Sequence, residues 1–201
     1  SLTGSSESVL RGVLNYKTQW NNVSPNLYQT YSASIDSDVK KDKFGIGAHF
    51  LKDIAGTTNM GTLQSSIFIS SNVRISKKSS IRVGISGSFT QKIVDQTRLT
   101  WESQWESQGF NNNLLSGETN IRNNYHYFDV ATGCVFRTVL KENMVFNIGA
   151  AGFHLNTPNQ GFDYNENNIL PVRFNLHSDI LIPTNYSIKM KPQILYMKQG
   201  V

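Results

Sequence analysis

Apolar and polar residues alternate along residues 62–95, and this pattern constrains the fold more than any other feature of the chain. Because side chains alternate across a β-strand, a period of two indicates one apolar and one polar face. The two arms of the stretch are joined only by residues 75–80, so they are predicted to form a hairpin. The apolar face comprises Leu63, Ile67, Ile69, Val73, Ile81, Val83, Ile85, Phe89 and Ile93, and Phe68 is an exception on the polar face.

The length and composition of these arms predict that they cross a membrane. Each arm has about 12 residues or more, whereas a soluble strand usually has about 5–6. A tilted strand needs about 9–11 residues to span a bilayer. The polar face is mostly Ser, Thr, Gly and Gln, which is too polar for the packed side of a soluble sandwich. We therefore predict an all-β fold, an antiparallel transmembrane β-barrel.

The composition of the chain is compatible with one such domain over residues 1–201. Its mean hydropathy is negative, at −0.34, but only every second residue of a barrel strand faces lipid. The single cysteine, Cys134, excludes an internal disulfide and is interpreted as a small apolar strand residue. The net charge of +5 is spread along the chain without a block of basic residues, so a nucleic-acid partner is not expected.

The same alternation predicts nine strands. Barrels of a single bacterial chain have even strand numbers, so nine strands predict a larger barrel of about 12–14 strands and a chain that is incomplete at its C-terminus. The alternative is a miscount by one strand. A loop is predicted over residues 53–61. The predicted strands are residues 9–20, 27–35, 44–52, 63–74, 81–93, 124–136, 144–155, 169–182 and 186–199.

The lengths of the predicted connections suggest an orientation. Connections after the second, fourth, sixth and eighth strands are short, and those after the third, fifth and seventh are longer. Outer-membrane barrels have short periplasmic turns and longer extracellular loops. We therefore predict that the first strand rises from the periplasm. Aromatic residues expected near the outer strand ends, as an interfacial girdle, are Trp20, Tyr28, Phe50, Phe89, Tyr125, Tyr127 and Phe153.

The long connection of residues 96–123 is the candidate functional site. It repeats the sequence Trp-Glu-Ser-Gln, so that Trp101 and Trp105 lie at positions i and i+4. On a helical turn both tryptophans would share one side, and tryptophan is enriched at protein-binding hot spots. The alternative is that the rings pack the loop onto the barrel rim or plug the lumen. The predicted protein-binding residues are Trp101, Glu102, Trp105, Glu106 and Phe110.

The chain contains no recognisable catalytic or metal-binding motif. Its four histidines are scattered, without the spacing of a metal site. Residues 84–87 lack the second spacer of the G-x-S-x-G motif and lie in the middle of a strand. A Ser/His pair on the barrel wall stays open, because such partners need not be close in sequence. We expect no enzymatic activity, no cofactor and no metal.

Several segments share their order and spacing with a known family. A small-residue start at residues 1–5 precedes a strand that ends in Gln-Trp, and Lys17 stands where arginine is usual. Thr57 replaces the usual proline of a later loop. The chain resembles the PorP/SprF family, which belongs to the type IX secretion system of the Bacteroidota. The matching segments are residues 1–5, 16–20, 30–34, 44–48 with 53–58, and 81–89.

The resemblance implies a non-enzymatic barrel of the bacterial outer membrane that assists export or surface anchoring of large cell-surface proteins, such as gliding adhesins. The implied partners are a secreted or surface-anchored cargo protein, a periplasmic peptidoglycan-binding lipoprotein, other type IX secretion components and outer-membrane lipid. The residues themselves leave two alternatives open. One is a porin-like channel for small molecules, and the other is an outer-membrane hydrolase.

Overall fold

The computed structural model folds the chain into one large antiparallel sheet and a small separate hairpin. It describes residues 10–22, 28–39, 43–56, 60–95, 99–107, 109–117, 122–141, 144–161, 167–183 and 189–200. None of these ranges contains a helix long and apolar enough to span a membrane. The strands are β1 (Leu10–Gln19), β2 (Tyr28–Asp38), β3 (Phe44–Ala55), β4 (Met60–Arg74), β5 (Ser79–Ile93), β6 (Trp105–Glu106), β7 (Gly109–Phe110), β8 (Asn124–Val139), β9 (Val145–Phe153), β10 (Arg173–Pro183), β11 (Lys189–Met190) and β12 (Gln193–Gln199).

Strands of the large sheet pair with their neighbours in the chain. The order is β1-β2-β3-β4-β5-β8-β9-β10-β11, and β12 also pairs with β10. Since β11 and β12 lie along the same side of β10, they act as one interrupted strand, and the ten-stranded sheet has nine strand positions in the described residues. The predicted all-β, antiparallel fold of about nine strands is confirmed.

The boundary between β3 and β4 differs from the prediction. Residues 53–61 were expected to form a loop, but the ladder continues through the pairs Ile54–Gly61 and Ala55–Met60, and only residues 56–59 connect the strands. Thr30 of β2 donates a hydrogen bond to Asp53 at 2.5 Å, which gives this polar strand residue a partner. The loop prediction is wrong here. The two long connections on which the predicted orientation depends are therefore residues 94–123 and 154–172.

The sheet buries its polar face and exposes its apolar face. Ile67 and Ile85 are 65% and 57% exposed, whereas Ser66 and Thr90 are 5% and 2% exposed. An apolar side chain left in water forfeits about 1.5–3 kcal/mol of burial free energy. A whole face of such residues therefore indicates a surface built for lipid. Among the described residues, the buried apolar side chains are only Val94, Tyr125 and Ala131.

An ion pair between distant strands shows that the sheet curls around its polar face. Arg82 Nη1 of β5 lies 3.4 Å from Asp38 Oδ1 of β2. Three strand spacings of about 4.8 Å would separate these strands by about 14 Å on a flat sheet. Curvature and the long arginine side chain together close this gap. We call the concave space enclosed by the polar face the lumen.

The height of the apolar face fits a bilayer. From Ile81 to Ile93, β5 extends about 40 Å at about 3.4 Å per residue, and a tilt of about 45° reduces this to about 28 Å. The apolar band of an outer-membrane barrel is about 25 Å tall. The predicted girdle is only partly correct, because Tyr125 and Tyr127 pair opposite Lys92 and Thr90 on the polar face. Phe153 also lies on this face, where it pairs opposite Arg173. Tyr125 is also buried, with 4% of its surface exposed.

A pair of lysine substitutions on one face of β5 tests this assignment. Ile85 lies near the middle of the strand and Gln91 lies near its end. A lysine facing lipid costs about 2–4 kcal/mol at the midplane and about 0–1 kcal/mol near the interface. We expect Ile85→Lys to lower the unfolding free energy by about 2–4 kcal/mol and Gln91→Lys by less than about 1 kcal/mol. Denaturant unfolding in lipid vesicles measures both, and equal losses would contradict a membrane-spanning β5.

Candidate protein-binding loop and lumen

The connection between β5 and β8 folds into a small module around Gln104. A 3-10 turn, Glu102–Gln104, leads directly into the hairpin of β6 and β7. The side chain of Gln104 accepts a hydrogen bond from the Trp101 backbone N–H at 3.1 Å and donates one to the Leu114 carbonyl at 3.0 Å. Its own carbonyl accepts from the Asn111 N–H at 2.8 Å. Because the buried Gln104 is hydrogen-bonded to three other residues of the loop through its side chain and its backbone carbonyl, the loop is held in a defined shape.

Exposed apolar side chains and two exposed glutamates lie on the outside of this module. Trp105 and Phe110 face each other across the hairpin, with ring centroids 5.7 Å apart, and are 61% and 40% exposed. Leu115 is 89% exposed. Glu102 and Glu106 are also exposed, and residues 99–107 and 109–117 contain no Lys or Arg. We call Trp105, Phe110 and Leu115 the loop patch.

The structure places the predicted site residues in two groups. The helical turn stops at Gln104, and Trp105 is extended, so Trp105 pairs with Phe110 rather than forming a helical pair with Trp101. Trp101 is half-buried. Leu115 is a member of the patch that the sequence did not indicate, since a leucine in a polar loop carries no distinct signal. Residues 96–98, 108 and 118–121 of the predicted loop lie outside the described residues.

Substitution of Gln104 tests whether this amide holds the loop together. Gln104→Ala removes two side-chain hydrogen bonds and leaves their backbone partners without an intramolecular partner, a loss of about 1–3 kcal/mol for the local structure. We expect faster chymotrypsin cleavage after Trp105, Phe110 and Leu115, with the rest of the barrel intact. Ser107→Ala, an exposed position in the same hairpin connection, is the matched control. Equal cleavage of both variants would contradict the role of Gln104.

Two buried aspartates of the lumen have hydrogen-bonding or basic partners. Asp36 lies 2.8 Å from Arg11 Nε. Asp179 accepts a hydrogen bond from Asn147 at 2.7 Å and lies 3.5 Å from Lys191 Nζ. Buried charges persist only when they are paired or hydrogen-bonded. These pairs join residues far apart in sequence, so the strand register, rather than any local motif, brings them together.

A segment after β9 is tied to the wall of the lumen at the end of the sheet that carries the long connections. His154 Nδ1 lies 3.1 Å from Asp129 Oδ1 of β8. The Asn156 side chain donates to the Phe128 carbonyl at 2.6 Å and accepts from the Val130 N–H at 3.0 Å. Lys92 Nζ of β5 reaches Gln160 at 3.4 Å. The segment therefore continues along β8 beyond the end of β9 and contacts Asp129 and Lys92 on the lumen face.

Within the described residues, Ser86 and His177 line one cavity in the wall of the lumen, together with Asn175. The Nε2 atom of His177 has no hydrogen-bond partner, so it is not bonded to the Ser86 hydroxyl. Within the described residues, no group of three or more His, Cys, Asp or Glu side chains is arranged to hold a metal ion.

Small residues allow the lumen side chains to lie flat against the wall. Gly149 of β9 pairs opposite His177 of β10. A Cβ atom at Gly149 would collide with His177 Cε1 and lie 2.9 Å from the Cys134 carbonyl oxygen. The imidazole therefore occupies the space that any other residue at position 149 would need.

Substitution of Gly149 tests this packing. Gly149→Ala is expected to lower the unfolding free energy by about 1–3 kcal/mol, because the ring and the strand must shift. Gly12→Ala is the matched control, since nothing lies within 4 Å of a Cβ atom there. Addition of His177→Ala should recover part of the loss at Gly149. Denaturant unfolding that shows equal stability for both glycine variants would contradict the packing described.

Comparison with known proteins gives one match. The family model described as "Type IX secretion system membrane protein PorP/SprF" matches residues 1–201. No curated protein and no solved structure matches the chain. The match includes residues 1–5, 57 and 58, which the sequence analysis used and which lie outside the described residues.

Proposed function

The chain belongs to the PorP/SprF family of type IX secretion system membrane proteins, and from this premise we propose that it binds a secreted or surface-anchored protein at the bacterial outer membrane. In this proposal it assists the export or surface anchoring of that cargo, such as a large adhesin, and catalyses no reaction. The observation that carries the proposal is the loop patch, an exposed apolar surface on a loop of defined shape.

The sheet supports an outer-membrane barrel. In the described residues, β1 pairs only with β2, and β12 pairs only with β10. An unpaired backbone group in lipid costs several kcal/mol, so edges of this kind do not persist in a bilayer. We propose that further strands pair with both edges and close a barrel of about 12–14 strands, in which residues 1–201 are part of one domain.

The loop patch has the chemistry of a protein-binding surface. Its aromatic rings bury a large area with little loss of conformational entropy, and an exposed patch with a polar rim is typical of interaction sites. Glu102 and Glu106 lie beside it without a nearby basic residue in the described part of the loop. We propose that the cargo presents an apolar surface flanked by Lys or Arg.

The opposite end of the sheet carries a different charge. Its turns hold Lys43, Lys77, Lys78, Lys141 and Lys189, all exposed. If the long connections lie outside the cell, these lysines face the periplasm, where they suit an acidic surface of the peptidoglycan-binding lipoprotein, another secretion component or anionic lipid.

A porin-like channel is the second candidate, and the polar lumen favours it. The contacts of His154 with Asp129 and of Gln160 with Lys92 on the lumen face argue for a narrower passage at this end. Single-channel conductance in planar bilayers separates the two candidates. A channel is supported if conductance is lost when the lumen is obstructed and is unchanged when the loop patch is substituted.

A double substitution in the loop patch tests the proposed function. Trp105→Ala with Phe110→Ala removes both rings while keeping Gln104 and its hydrogen bonds. We expect co-purification of exported protein from the native membrane to fall at least about tenfold, which corresponds to about 1.4 kcal/mol. Deletion of residues 101–110 should act similarly. Ser107→Ala is the control, and heat-modifiable migration on a gel reports an intact barrel.

Unchanged recovery of exported protein with the double variant would contradict the loop patch as the binding surface. Normal export in cells that lack the whole protein would contradict the proposed function itself.

A further inference from the structure

A cavity of about 260 Å³ opens in the wall of the lumen. Its lining comes from β4, β5, β8, β9, β10 and β12, so it depends on most of the sheet. It is smaller than the roughly 300–1,000 Å³ of sites for drug-sized ligands. Its size therefore suits a single large side chain or a similar group, and not a folded domain.

The floor of the cavity is a row of residues with almost no side chain. Across the strand register, Ser70 pairs with Gly84, Gly84 with Gly133, Gly133 with Ala151 and Ala151 with Asn175. A Cβ atom at Gly84 would meet the Ile69 carbonyl oxygen at 3.4 Å and Ser70 Cβ at 3.5 Å, which is ordinary contact. A Cβ atom would therefore fit at position 84 without a clash. The cavity is open because Gly84 has no side chain.

Two residues that line this cavity each have a buried polar atom without a hydrogen-bond partner. These atoms are Asn175 Oδ1 and His177 Nε2. A buried polar atom without a partner destabilises the folded state. A ligand that offers a donor to Asn175 and complements the imidazole nitrogen would recover this free energy.

Apolar side chains also line the cavity, together with the polar Ser70, Arg82 and Ser86. Phe68 of β4 interrupts the polar alternation of its strand and lines the cavity, as do Val135, Phe153 and Leu195. Their positions on the polar face follow from the register of β4, β8, β9 and β12. The cavity therefore combines an apolar wall with hydrogen-bonding atoms along one side.

We propose that this cavity binds an extended polypeptide segment through one large apolar side chain. A peptide backbone carries an N–H group for Asn175 Oδ1 and a C=O group for an N–H at His177 Nε2 within one residue. The side chain would fill the space above Gly84, beside Phe68. A general mode of peptide recognition combines hydrogen bonds to the peptide backbone with pockets for alternate side chains of the peptide. The proposal rests on the proposed function and adds a second contact for the same exported protein.

Isothermal titration of the full-length protein in lipid nanodiscs tests the cavity. The probe is the blocked pentapeptide acetyl-Gly-Thr-Phe-Thr-Gly-amide, compared with the same peptide carrying alanine in place of phenylalanine. We expect the phenylalanine peptide to bind at least tenfold more tightly than the alanine peptide. Gly84→Val, which fills the cavity with a residue favoured in strands, should weaken binding at least tenfold.

Gly12→Val is the matched control, because position 12 lies in open space on the apolar face. It should bind the peptide like the unmodified protein. Absence of peptide binding, or equal binding by Gly84→Val, would overturn the proposal. Binding of decanoate that Gly84→Val abolishes, without peptide binding, would overturn it in favour of an amphiphile.

The two proposals can fail separately. If the peptide does not bind but the Trp105 and Phe110 substitutions still reduce recovery of exported protein, only the cavity is refuted. If the peptide binds as expected while cells without the protein export normally, the cavity stands and the proposed function does not.

Discussion

Backbone hydrogen bonding is the constraint on which this structure depends. A strand in lipid has no water to satisfy its N–H and C=O groups, so both of its sides need a paired neighbour. β5 meets this need over its whole length, from Ile93 to Ser80 against β4 and from Ile93 to Ser79 against β8. Uninterrupted pairing fixes the register, and the register decides which side chains face the lumen.

The inverted burial follows from that register. With apolar residues turned outward, the interior must be filled by polar groups that satisfy one another. Asp38 and Arg82 do so across several strands, and Asp179 is satisfied by Asn147 and Lys191. Where the wall is built from glycine and alanine, the interior is not filled, and the neighbouring Asn175 Oδ1 has no hydrogen-bond partner.

The sequence predicted the sheet well because alternation is a local property. The apolar positions from Leu63 to Ile93 lie on the exposed face, as the period of two indicates. It failed at residues 53–61, where a cross-strand hydrogen bond from Thr30 keeps Asp53 in the strand. It also misplaced Tyr125 and Tyr127, since strand-end aromatics serve either face and only the ladder distinguishes them.

The candidate sites were predictable to a smaller degree. The repeated tryptophans drew attention to the long loop, but Trp105 pairs with Phe110 because Gln104 ends the turn, a contact that sequence spacing does not encode. The lumen ion pairs and the Asn156 bonds to β8 join residues from different hairpins, so no local motif announces them.

One signal of the cavity was present in the sequence. Phe68 is the exception to the alternation of β4, and it is one of the residues that bring an apolar surface into the polar lumen. In a barrel, strict alternation serves the membrane and carries no information about ligands. An apolar residue on the polar face loses favourable solvation and does not improve contact with lipid. Residues that interrupt the alternation are therefore good candidates for functional residues. The same reasoning applies to Trp105 and Phe110, whose exposed rings lie on a loop that is otherwise polar.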